Sequence, residues 1–174
     1  MLAQDGSIKL VDFGLSLFYN NQTNILQPRG SPHYQAPEVR QGNYNGPKAD
    51  IYSAGIFLFI MTVYQYPFGS RDTKQIPTEY SQFMKDKTAF WSKFKKYMHC
   101  DPHQEEFKQL IEGMLVQYAE QRLSIYEIRS SPWYLKTEEA SPAELKAFYN
   151  ELVGEPMEIE ACAGEEGARG GASE

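Results

Sequence analysis

Cysteine is nearly absent from this chain: Cys100 and Cys162 are the two it has. They stand far apart, so a disulfide framework is not expected, and a reducing, cytoplasmic setting fits better. A strongly basic overall balance is also missing. The 174 residues carry a net charge of -6, and a nucleic-acid surface needs clustered Lys and Arg; nucleic acid is not an expected partner. A basic stretch followed by an apolar one is lacking at the N-terminus, so no secretory leader is expected. Long apolar runs are scarce too. Ile51 to Ser70 carries no charge, but Ser53, Thr62, Gln65, Pro67 and Gly69 interrupt it. Its strongly apolar part, Ile56 to Met61, is far shorter than a membrane span, so it reads as a buried core helix.

What is present is an ordinary globular composition, 41% hydrophobic and 14% aromatic, in a chain long enough for one real core. The charge is unevenly placed: residues 137–174 hold ten acidic and two basic residues, whereas residues 1–136 hold thirteen and fifteen. The globular part is nearly neutral and the acidity belongs to the tail.

The pattern along the chain predicts a mainly α-helical fold. Met1 to Ala3 and Ile8 to Val11, joined by Asp5-Gly6-Ser7, read as a short N-terminal β-hairpin. Residues 15–35 have little periodicity and several Asn, Gly and Pro; loops of that length in compact domains are usually functional or disordered. A central helix is predicted from about Ala49 to Gln65, apolar nearly all round and stopped by Pro67 and Gly69. Tyr80 to Tyr97 reads as amphipathic, Glu105 to Tyr118 as a clean helix and Leu123 to Arg129 as a shorter one. Ser141-Pro142-Ala143-Glu144 carries a capping box, so a helix is expected near 142–153. From Ala161 the chain is Gly, Ala and Glu, and disorder is expected.

Chemistry enters with Ile8-Lys9-Leu10-Val11-Asp12-Phe13-Gly14-Leu15-Ser16, an apolar run leading into Asp-Phe-Gly. Gly30-Ser31-Pro32-His33-Tyr34-Gln35-Ala36-Pro37-Glu38 follows, then Asp50-Ile51-Tyr52-Ser53-Ala54-Gly55, then Arg122. Asp-Phe-Gly alone is a weak signal; its strength lies in the ordered array. That array resembles the serine/threonine protein kinase family over about residues 1–136, leaning toward its calcium/calmodulin-dependent and AMP-activated branch. The resemblance implies a kinase-like C-lobe, with activation segment and helical core but no N-lobe. Residues 137–160 would be an extension and 161–174 a tail.

The resemblance further implies roles residue by residue. Asp12 would hold Mg²⁺ against the phosphates of ATP, with Phe13 and Gly14 completing the cofactor-binding motif. Gly30, Ser31, Pro32 and Tyr34 would form the floor that receives a protein substrate, and Ser31 favours a Ser or Thr acceptor. Glu38 and Arg122 would form a structural ion pair, and Asp50 would anchor the catalytic loop to the core. Gln27 stands where many relatives carry an activating Thr, so any loop phosphorylation is expected at Thr23 or Ser31. Gln117 to Arg122 lacks the Pro usually found before the Arg. His99, Cys100, Asp101 and His103 are ligand types at no common zinc spacing and read as a polar loop.

The family's Gly-rich phosphate loop, phosphate-contacting Lys, its partner Glu and the His-Arg-Asp loop have no counterpart in these residues, so no catalytic-loop Asp is assigned. Met1 to Gly6 fits the stretch directly after the family's metal-binding Asn, and that Asn is expected immediately before Met1. Catalysis by phosphoryl transfer rests on positioning and electrostatic clamping. A chain with Asp12 alone is therefore expected to be inactive, and part of the Ile56 to Met61 run is expected to be exposed. A non-catalytic docking module for other proteins is the alternative reading.

Overall fold

The computed structural model describes residues 1–3, 5–20, 24–98 and 103–154, and for 152–154 the backbone only. The chain divides into two compact units, Asp12–Glu138 and a smaller one formed by Met1–Val11 with Glu139–Glu174. Among the described residues the structure is helical, and pairing is limited to two isolated antiparallel bridges, Leu2 with Ile8 and Ile25 with Tyr44.

In the larger unit, α1 (Pro37–Gln41) opens on Ala36 with Pro37 in its first turn, where a missing N–H costs nothing. α2 (Gly46–Val63) starts at Asn45, whose side-chain oxygen accepts the Lys48 N–H at 3.0 Å. It stops at Tyr64, which turns left-handed (φ 58°) and donates its N–H back to Ile60 O. The observed helix begins three residues before the predicted one because the Asn45 cap and Pro47 set its start.

α3 (Ile76–Lys85) and α4 (Lys87–Phe94) occupy the stretch that reads as one amphipathic segment. Asp86 divides them: its extended backbone ends α3, and its carboxylate accepts the Ala89 N–H at 2.8 Å to start α4. A carboxylate cap is stronger than the periodicity that runs through it. α5 (Gln104–Met114) crosses α2, and the approach is close at Gly55. A Cβ there would lie 2.9 Å from Met114 Cβ, so only glycine lets the two helices meet. α6 (Ile125–Arg129) and α7 (Pro132–Lys136) follow. Ser124 and Glu127 form a full capping box ahead of α6. Ser124→Ala should lower stability by about 1 kcal/mol in urea unfolding; an unchanged midpoint would mean that α6 does not unfold with the rest.

The core is aromatic. Phe59, fully buried, meets Phe90, Trp91 and Phe94 at ring separations of 5.8, 5.8 and 4.9 Å. Phe83 and Phe90 meet at 4.6 Å, and Phe68 joins both. One stripe of α2 stays open: Phe57, Met61 and the following Tyr64 are 56, 57 and 84% exposed. Part of the Ile56 to Met61 run therefore faces solvent, while Ile56 and Phe59 are buried. No helix among the described residues is long and apolar enough to cross a membrane.

In the smaller unit, α8 (Pro142–Gly154) carries the expected capping box: Ser141 N donates to Glu144 Oε2 at 2.8 Å, and Glu144 N donates back to Ser141 Oγ at 3.3 Å. Gly6 (φ 83°) lies against it, where a Cβ would meet Pro142 O at 2.4 Å. The expected two-stranded hairpin reduces to the Leu2–Ile8 bridge, with Ala3 N donating to Ser7 O and Lys9 N to Met1 O. Ile8 and Leu10 are exposed, and a ladder without an apolar face to bury does not extend.

Candidate functional site

Asp12 sits at φ 65°, left-handed and unusual for a residue other than glycine. The short side chain makes this tolerable, because Oδ1 accepts the Gly14 N–H at 3.3 Å and caps the single turn Phe13–Leu15. Ser16 Oγ closes the turn by donating to Phe13 O at 2.7 Å. The result is an exposed carboxylate beside an exposed Phe13 ring. Mg²⁺ takes one or two protein carboxylates and completes its shell with water and substrate phosphates. An outward-facing Asp12 fits that requirement as one ligand. Among the described residues no group of three or more His, Cys, Asp or Glu could hold a metal by itself. His99, Cys100 and Asp101 lie outside the described residues, as does Thr23.

The segment after it is tied down at many points. Gly30 adopts φ 96°, a conformation side chains resist. The Gln35 amide donates to Gly30 O at 2.8 Å and to Arg29 O at 3.2 Å, and Arg40 Nη2 donates to Pro32 O at 2.9 Å. His33 stacks on Tyr66 at 4.1 Å, with Nε2 3.0 Å from Gly69 O. Ser53 Oγ, on α2, donates to Tyr34 O at 2.8 Å, and burial beside Tyr66 raises the Tyr34 phenol pKa. Ser31 and Pro32 remain exposed on this braced loop.

Beneath the loop lies the most buried charge in the unit. Arg122 is 1% exposed. Its guanidinium reaches Glu38 Oε1 at 2.7 Å and Oε2 at 3.0 Å, Lys48 O at 2.5 Å, and Val116 O at 3.0 Å. It also lies 5.2 Å over the Tyr52 ring. Lys48 Nζ returns a bond to Arg122 O at 2.5 Å. A planar fork suits this bidentate arrangement, and Lys could not replace it. Glu38 and Arg122, 84 residues apart, thus join α1 to the loop before α6. The Lys48 and Val116 carbonyls belong to the same lock, but backbone acceptors leave no trace in sequence.

Asp50 occupies the first half of α2, at the lip of a cleft of about 380 Å³ lined by Ser16, Tyr19, Arg29, Tyr44 and Ser53 among others. Partial burial raises its carboxyl pKa above the ordinary value. The arrangement combines an exposed carboxylate, a braced exposed loop, and an acidic group beside an open cleft.

The sequence is similar to known proteins. The protein kinase domain family matches residues 1–134. Calcium-dependent protein kinase 25 of Arabidopsis thaliana is 34% identical over 131 residues, covering 75% of this chain and 23% of its own length. The SNF1-like protein kinase ssp2 of Schizosaccharomyces pombe is 34% identical over 140 residues, 77% of this chain and 21% of its own. CBL-interacting serine/threonine-protein kinase 8 of Arabidopsis thaliana is 36% identical over 138 residues, 78% and 28%. The chain spans about a quarter of the length of these relatives. With the Asp12-Phe13-Gly14 turn, the braced Gly30–Glu38 loop and the Glu38–Arg122 lock in one unit, and with that match over most of its length, the chain belongs to the serine/threonine protein kinase family.

Proposed function

We propose that these residues supply the metal-binding and peptide-receiving part of a serine/threonine kinase domain, and that the 174-residue polypeptide alone does not transfer phosphate. The family uses ATP and Mg²⁺ on protein substrates. Asp12 would hold the ion, which bridges the phosphates and offsets charge when bound. Phe13 and Gly14 would flank it. Gly30, Ser31, Pro32 and Tyr34 would receive the peptide, and Asp50 would anchor a catalytic loop across its cleft. Residues 1–136 would form the kinase part, 137–160 an extension and 161–174 a tail, in the cytoplasm, with Thr23 or Ser31 as phosphorylation sites.

The observation that supports this reading most is the bracing of Gly30–Gln41 by Gln35, Arg40, Ser53 and the Glu38–Arg122 pair. That holds a peptide platform in shape, while the groups that clamp the nucleotide have no counterpart in the sequence. The docking-module alternative draws on the exposed Phe57, Met61 and Tyr64 stripe, since contiguous apolar surface often marks a contact site. The purified chain, given Mg²⁺, ATP and a generic Ser/Thr peptide, should show no transfer above an Asp12→Ala control. Transfer that disappears with Asp12→Ala would refute the claim of inactivity.

A further inference from the structure

The corner between α3 and α4 forms an apolar slot of about 340 Å³, near the small end of ligand pockets. Buried Phe83 and Phe90 line it with Gln82, Ala89 and the exposed Lys85 and Lys93, and Lys87 Nζ lies 3.3 Å from the Phe83 ring centroid. Neither Lys85 nor Lys93 meets a carboxylate among the described residues. Asp86 also lines the slot, but its carboxylate is committed to the Ala89 N–H. The corner lies in the most basic stretch of the chain: Lys85, Lys87, Lys93, Lys95 and Lys96 fall within twelve residues with Asp86 as the single acid. Residues 1–136 are otherwise nearly neutral, so this patch stands out as basic.

We propose that this slot docks an acidic segment of a partner protein that carries one large apolar residue. The apolar side chain would enter over Phe83 and Phe90, and flanking Asp or Glu residues would pair with Lys85 and Lys93. The slot is too small for a helix face but sufficient for an anchor, and anchors in small pockets carry most of the energy of such contacts. The lysines would contribute steering and selection between partners. Lys95 and Lys96 are exposed and do not line the slot, so the slot and general basic charge can be separated. This inference goes beyond phosphoryl transfer and is tested without nucleotide.

The probe is a fluorescein-labelled peptide, Asp-Glu-Phe-Glu-Asp between Gly-Ser flanks, titrated with the full chain by fluorescence anisotropy. Saturable binding is expected, weakened at least about tenfold by Phe→Ser in the peptide and by K85E/K93E in the protein. K95E/K96E, equal in charge change, should alter affinity by less than about threefold. Ala89→Trp, which fills the slot, should abolish binding. The peptide-side change reads out even where a protein variant folds poorly. No saturation up to about 1 mM, equal binding of the Ser peptide, or equal weakening by K95E/K96E would overturn the proposal.

Discussion

Replacing Arg122 with Ala should remove about 3–4 kcal/mol of stability, read as a shift of the urea midpoint. The magnitude follows from what stays behind. Glu38 would keep its negative charge in a site only 20% exposed, and the Lys48 and Val116 carbonyls would lose their donor. A buried charge left alone costs more than the pair contributes by existing. The residual exposure of Glu38 places the expected value in the lower part of the usual range. Arg122→Lys should recover part of the loss, since an ammonium restores charge but not the two-pronged contact. A loss below about 1 kcal/mol would mean that water reaches the pair and that the lock is a surface salt bridge.

The second large effect concerns the aromatic core. Phe59→Ala should cost about 3–5 kcal/mol, because it deletes a fully buried ring that Phe90, Trp91 and Phe94 all face. Phe59→Leu should cost less, roughly 1.5 kcal/mol, since a smaller apolar side chain fills most of the space. Both follow from the volume vacated where α4 packs on α2. Trp91 fluorescence, measured in a Trp133→Phe background, gives a local reading of the same change. Equal stability of wild type and Phe59→Ala would show that the α2–α4 contact does not form in solution.

Much of this was legible in the residues. The α2 helix announced itself through its charge-free run, although it stops at a left-handed Tyr64 before Pro67 and Gly69, and α8 through Ser141 and Glu144. The Glu38–Arg122 pair followed from family resemblance; spacing across 84 residues says nothing by itself. Other features were written in the sequence but outweighed. Asp86 is a good cap, yet the aromatic period from Phe83 to Phe94 masks the break it makes. The hairpin failed for a tertiary reason: alternation and a turn suggest strands, but Leu2 and Ile8 pair without a sheet to join. Contacts to backbone carbonyls were out of reach altogether. Ser53 to Tyr34, His33 to Gly69 and Arg122 to Lys48 each depend on an acceptor that every residue possesses.

The exposed stripe of α2 and the cleft beside Asp50 bear on the same question, whether these residues act within a larger catalytic unit. A chimera asks it most directly. The residues that precede the matched segment in the kinase domain of a calcium-dependent protein kinase would be joined to residues 1–136 of this chain, and phosphate transfer to Ser, Thr and Tyr peptides measured. A folded chimera is predicted to phosphorylate Ser or Thr and not Tyr, and to lose at least about a thousandfold in rate on Asp12→Ala, as removal of a metal ligand from a phosphoryl-transfer site requires. A folded chimera that is inactive, or one whose activity survives Asp12→Ala, would contradict the account.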